Sequence, residues 1–279
     1  MVSLRLRSKP AAPRLRRKAR RASDGQAMRT IARAGLAARG VIYLLIGWVA
    51  ILVATGRSSH QPDQEGALRL LASTPYGLVS LALLGVGFAC YALWLVSQAA
   101  FGVTGQGDGA GPRLGALGRA VVYAFLAYLT FKVIIGAGGN EARREQDLTA
   151  KVMHHPGGQW LVGAVGLAIV IVGVALIVQG LRSRFMKNLA TGQMSVRTRK
   201  IVQWLGRIGV TSRGAVFAIA GALVIDAAVT FNSAKSGGLD KALLTLRQQP
   251  YGEFLLLIAA VGLAVFGVYG LAEARWRKV

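Results

Sequence analysis

The chain has one cysteine, three histidines and only 11 acidic residues among 279. A single cysteine, Cys90, excludes an intramolecular disulfide, and its place in an apolar stretch makes it a small buried apolar side chain. The histidines do not suit a metal site. His154 and His155 are adjacent and diverge around a helix, His60 stands alone, and no cysteine or carboxylate set completes a ligand shell. Ser-His-Asp order, paired catalytic carboxylates and a Rossmann context are all missing, so the inventory points to no enzyme, cofactor or metal. The glycine-rich stretch 105–111 lacks the Lys-Ser/Thr of a phosphate loop and reads as a flexible connector.

The shortage of acid leaves 34 lysines and arginines and a formal net charge of +23. Such a balance invites a nucleic-acid reading, but no binding fold or aromatic stacking platform accompanies it, so no nucleic acid is expected. The charge is concentrated first in residues 1–30, where Arg16, Arg17, Lys18, Arg20 and Arg21 form one cluster. That segment lacks apolar periodicity and is expected to be a disordered cytoplasmic arm attracted to anionic lipids. It is too long for the basic region of a cleaved signal peptide.

Apolar residues are abundant. They make up 53% of the chain, and 36 glycines accompany them. Apolar runs at 34–54, 78–99, 117–137, 158–180, 210–230 and 253–272 are each about 20 residues long, enough for a helix to cross roughly 30 Å of hydrocarbon. Six such runs leave too little polar surface for a soluble protein. The expected fold class is an all-α integral membrane protein with six transmembrane helices. Most lysines and arginines fall on the segments that six crossings group with the two termini. The positive-inside rule therefore puts both termini in the cytoplasm. Asp63, Glu65, Glu141, Glu145, Asp147 and Asp240 fall on the opposite side.

One pattern occurs three times, each copy opening an apolar run: Arg33, Gly35, Arg39, Gly40, Tyr43; Arg113, Gly115, Arg119, Ala120, Tyr123; Arg207, Gly209, Arg213, Gly214, Phe217. A proline follows each second arginine at a nearly constant interval, at Pro75, Pro156 and Pro250, with a glycine just beyond at Gly77, Gly157 and Gly252. These prolines are expected in the first turn of the even-numbered spans. Ahead of them, Leu68 with Leu71, Leu148 with Val152, and Leu243 with Leu246 suggest short amphipathic helices at the outer interface. Beyond them, Gly87, Ala168 and Gly262 and then Ala92, Gly173 and Gly267 supply small residues for close helix approach. The units are three tandem parallel helix pairs, expected to form a pseudo-threefold bundle: 31–100, 113–182 and 205–275. A linker at 101–112, a basic linker at 183–204 and a basic tail at 276–279 complete the chain.

The Gly-x-x-x-Arg-Gly-x-x-Tyr pattern followed by Pro-Tyr-Gly resembles the domain of unknown function 1206 family. The resemblance covers roughly 31–275 and is looser in the second unit, where Ala120 replaces glycine and His154-His155 precedes Pro156. It implies a multi-pass protein of a bacterial plasma membrane carrying the helix-pair domain in triplicate, with no activity and no catalytic residue to transfer.

Two groups of polar residues are candidate sites. Arg39, Arg119 and Arg213 end near the same membrane face as Gln98, Gln179 and Glu273, so the six are expected to form a polar ring. The plainer alternative is that the motif arginines anchor the helices at the interface. Counting thirteen residues from the second arginines reaches Lys132 and Asp226, opposite charges at one repeat position and a candidate intramembrane pair. The function expected from these residues is a non-enzymatic membrane-organising or partner-binding scaffold. The alternative is a channel or transporter with a polar pathway near Lys132 and Asp226.

Overall fold

A computed structural model describes residues 26–57, 62–102, 110–136, 141–155, 157–236 and 238–278. The basic arm up to residue 25, His60 and most of the glycine-rich stretch lie outside the described residues. Nine α-helices occur among the described residues: α1 (Gln26–Ala54), α2 (Gln64–Ala72), α3 (Gly77–Phe101), α4 (Ala110–Ile134), α5 (Glu141–Met153), α6 (Gly158–Leu181), α7 (Val196–Val229), α8 (Leu239–Arg247) and α9 (Gly252–Trp276). Six of them, α1, α3, α4, α6, α7 and α9, are long and apolar enough to cross a membrane. The chain is an all-helical membrane protein of three helix pairs, each joined by a short connector helix.

The connectors differ from one another. In α2 and α8 the apolar stripe docks on the bundle, with Leu68 and Leu243 fully buried. Leu148 of α5 stays exposed. Asp63 starts α2 as its N-cap, its Oδ1 accepting the Gly66 N–H at 2.7 Å.

The even-numbered spans begin two residues after the prolines rather than at them, at Gly77, Gly158 and Gly252. Each connector ends with its last carbonyls lying over the next helix start. A Cβ at Gly77 would stand 2.4 Å from the Leu71 carbonyl oxygen, one at Gly158 would stand 1.7 Å from that of Val152, and one at Gly252 would stand 2.0 Å from that of Arg247. Glycine is required there by the close backbone approach, and the equivalent residue in the second unit is Gly158 rather than Gly157. Tyr76, Trp160 and Tyr251 are exposed at this level, where amphipathic rings suit a membrane interface.

The helix α7 spans 34 residues, about 51 Å at 1.5 Å per residue, and is longer than a crossing needs. Its first turns occupy part of the expected linker. Ser195 caps it, accepting the Thr198 N–H at 3.1 Å, and Val202 is buried. The rest of the linker folds onto the tail: Ala190 donates to the Trp276 carbonyl at 2.8 Å and Lys278 donates to that of Asn188 at 3.0 Å.

Packing between units follows one rule. The second helix of each unit pairs with the first helix of the next: α3 with α4, α6 with α7, and α9 back onto α1. Small residues line each pairing. Gly40 and Gly47 of α1 meet Gly267 and Ala260 of α9, and Gly214 and Gly221 of α7 meet Gly173 and Gly166 of α6. The same register in α3 and α4 holds Ala92, Gly85, Ala120 and Ala127. Spacing of seven residues, two turns, keeps each pair of small side chains on one face, and the backbones approach closely.

Packing within units does not repeat in the same way. The helix α1 packs on α3, and α7 packs on α9, but α4 and α6 make no comparable contact. The threefold equivalence expected from the repeat is therefore incomplete at the second unit.

Candidate functional site

The first arginine of the motif reaches across to the preceding unit. Arg113 donates through Nη2 to the carbonyl of Ala100, at the end of α3. Arg207 donates through Nε and Nη2 to the carbonyl of Leu181, at the end of α6, at 3.2 and 3.1 Å. A helix C-terminus carries unsatisfied carbonyls and partial negative charge, so each guanidinium caps the helix against which its own helix packs. Arg33 is exposed.

The second arginines are placed differently. Arg39 forms an ion pair with Glu273, and Arg277 grips the same carboxylate from one turn further on. Glu273 is buried, and the Arg39 side chain is only 11% exposed. Breaking a buried pair strands the remaining charge, so this contact ties α1 to the end of α9 strongly. Arg213 stacks instead on three rings, its guanidinium 5.0 to 5.2 Å from the centroids of Tyr43, Phe217 and Phe266. Tyr43 and Phe266 meet edge to face at 4.8 Å, and Tyr91 and Tyr123 meet likewise at 4.6 Å. Arg119 is exposed, and its Nε donates to the carbonyl of Gly115 in its own helix at 3.0 Å.

Of the six residues expected in a ring, Arg39 and Glu273 are joined directly. Gln98 is buried, Gln179 is half-buried, and Arg119 and Arg213 have the other surroundings just described. Arg277 joins this contact from outside the six, and its position four residues after Glu273 is the sequence signal for it.

Lys132 and Asp226 do not pair. Asp226 lies three residues before the end of α7, its side chain 48% exposed, and its Oδ2 is 3.0 Å from the Nζ of Lys235. Lys132 is half-buried in the last turn of α4, with no ion pair to Asp226 among the described residues. Both sit within the last turns of their helices, at the connector side of the bundle. His154 contacts the ring of Phe231, and the His155 Nδ1 lies 2.9 Å from the Lys151 carbonyl oxygen, so neither is arranged as a ligand. Among the described residues no group of His, Cys, Asp or Glu is arranged to hold a metal.

The second unit contains an opening. In the first unit a Cβ at Gly35 would stand 2.1 Å from the Cβ of Tyr91, and one at Gly87 would stand 3.0 Å from that of Ala38. In the third unit the same positions bring Gly209 to Phe266 and Gly262 to Ser212 with comparable closeness. The equivalents in the second unit are Gly115 with Val172 and Gly118 with Ala168. Among the described residues no heavy atom lies within 4 Å of the Cβ position of Gly115 or Gly118, and Val172 is 49% exposed. A cavity of about 540 Å³ occupies the space between α4 and α6. Its apolar walls include Val122, Leu126, Val162, Val165 and Ile169, its floor includes Phe217 of α7, and Gln64, Thr149 and Ser236 add polar groups near the connectors.

The sequence model of the family described as Domain of Unknown Function (DUF1206) matches residues 34–102, 114–183 and 208–277. The chain belongs to the DUF1206 family. The three matches coincide with the three helix pairs, so the DUF1206 domain corresponds to a first helix, a connector and a second helix. The chain is also similar to the uncharacterized protein YxxB of Bacillus subtilis (strain 168), with 32% identity over 250 residues, 88% of this chain and 90% of the relative. No solved structure matches it. Neither similarity attaches an activity to the domain.

Proposed function

We propose that this DUF1206 protein is a non-enzymatic membrane scaffold, a ring of three helix pairs held open at its second unit to receive an apolar occupant from the bilayer. The observation that carries the reading is the contrast between Gly35 and Gly209, which are covered by Tyr91 and Phe266, and Gly115, which no described residue covers. A unit that keeps the motif yet leaves its glycines unfilled presents an apolar slot between α4 and α6, the equivalents of the helices that close on each other in the other two units. The concentration of lysine and arginine on the motif side supports cytoplasmic termini in a bacterial plasma membrane.

The alternative of a channel or transporter has less support, because Lys132 and Asp226 lie apart at the connector side. Single cysteines at Val122 and Val165, in a Cys90→Ser background, separate the two readings. A lipid-filled slot leaves both unreactive toward a charged, membrane-impermeant thiol reagent and reactive toward a permeant maleimide. Rapid labelling by the charged reagent identifies a water-filled pathway and contradicts the scaffold reading.

A further inference from the structure

The slot has a charged end. Arg119 lies on the same stripe of α4 as Gly115, Val122 and Leu126, at spacings of four, three and four residues. Val122 and Leu126 line the cavity, so Arg119 stands one turn beyond it toward the motif side, on the face that the missing α4–α6 contact leaves open. Phe217 is shared: it lines the cavity, and its ring carries the guanidinium of Arg213 at 5.0 Å. Arg119 is also within electrostatic reach of Arg39 and Arg277.

Arg39 and Arg277 share the one carboxylate of Glu273, and among the described residues no second acid balances the charge of Arg119 beside them or of Arg213 on the Phe217 ring. Among the described residues neither Arg119 nor Arg213 forms an ion pair, and the Nε of Arg213 is buried without a hydrogen-bond partner. An excess of cationic charge at the edge of a bilayer attracts an anion, and a guanidinium matches phosphate oxygens through two parallel hydrogen bonds. An apolar slot alone would take any acyl chain. The arginines specify a chain that carries a phosphate.

We infer that the α4–α6 slot is a binding site for an anionic phospholipid, with the phosphate on Arg119 beside the arginine cluster and an acyl chain along Val122, Leu126, Val165 and Ile169. The inference rests on the open-slot reading and adds the chemistry of the occupant. Basic pockets between membrane helices bind anionic headgroups in this manner. The site is separate from the basic arm, whose attraction to lipid needs no pocket.

The test uses the full chain, purified in mild detergent and equilibrated with equal amounts of phosphatidylglycerol and phosphatidylcholine of matched chains, with retained lipid counted by native mass spectrometry. The wild type retains phosphatidylglycerol in roughly tenfold excess, the preference that a single charge-assisted contact of about 1.4 kcal/mol supports. Arg119→Gln brings the ratio near one at an unchanged melting temperature. Val122→Trp, which fills the slot from an exposed position, reduces retention of both lipids. Arg197→Gln and the triple variant Arg16→Gln, Arg17→Gln, Lys18→Gln leave the ratio unchanged. Equal retention of the two lipids by the wild type, sensitive to Val122→Trp, overturns the anionic specificity and leaves the slot standing. Retention insensitive to Val122→Trp overturns the slot as well. Loss of the preference in the triple variant assigns it to the arm, and protection from thermal unfolding by inorganic phosphate alone assigns it to a free-anion site; either result overturns the proposal.

Discussion

Arg39 and Glu273 join the first membrane helix to the last across 234 residues of sequence, and Arg277 holds the same carboxylate from the other side. The contact closes the chain on itself at the motif face, where α9 returns to α1. Removing the carboxylate leaves buried guanidiniums without a counter-charge. Glu273→Gln is expected to destabilise the protein by roughly 3–5 kcal/mol, as for other broken buried pairs. Arg39→Gln should cost a similar amount, and the double variant should lose less than the sum of the two. Reversible unfolding in mixed detergent checks this, and additive losses would show that the two residues act separately.

Glycines at the inter-unit pairings and glycines at the slot should respond oppositely to a larger side chain. A Cβ at Gly214 would stand 2.8 Å from the carbonyl oxygen of Gly173, so Gly214→Leu forces α6 and α7 apart and is expected to cost about 1–3 kcal/mol or more. Gly115→Ala meets no described residue within 4 Å and replaces a poor helix former, so it should stabilise the helix by up to about 1 kcal/mol. Melting temperatures of the two variants in one detergent decide the point.

The ion pair of Asp226 with Lys235 is half exposed on both sides and should contribute no more than about 1 kcal/mol. Exchanging the two charges should preserve stability. Exchanging Lys132 with Asp226 should rescue neither single variant, because the two residues do not meet. A double-mutant cycle over the three positions measures both expectations.

Stability should also depend on pH through the connectors. Burial at the start of α2 pushes the Asp63 carboxyl up to about 7, with neighbouring Asp240 and Glu65 adding to the shift; burial also raises Asp240. A carboxyl raised above its unfolded value near 3.9 favours the folded state in its protonated form. Its contribution is complete below about pH 4 and falls as pH rises toward 7. Asp63→Asn keeps a good N-cap without the charge. The melting temperature of this variant should exceed that of the wild type by a margin that grows between about pH 4 and pH 8. A constant margin would contradict the assignment.

Much of this fold follows from the spacing of residues. Counting from the second arginine and from the proline brings out Gly87 and Gly262, which pack within units, and Gly173 and Gly267, which pack between them. Counting does not show which partner each position meets, because a parallel repeat can pair with its own unit or with the next. The opening in the second unit leaves a faint trace. Tyr91 and Phe266 cover the motif glycine elsewhere, whereas the equivalent Val172 is too short to do so across separated helices. Charge decides which of the six polar residues meet: Glu273 is the one acid among them and draws Arg39 and Arg277 to itself, while the glutamines offer no charge to hold Arg119 or Arg213. Lys235 lay in a connection between helices, where no repeat register could assign it to Asp226.

Paired cysteines in a Cys90→Ser background report whether the second unit stands open. Ala38→Cys with Gly87→Cys spans the closed first unit, and Gly118→Cys with Ala168→Cys spans the same positions of the second. Under mild oxidation in native membranes the first pair should form a disulfide and the second should remain reduced. A disulfide forming as readily between positions 118 and 168 as between 38 and 87 would contradict the account.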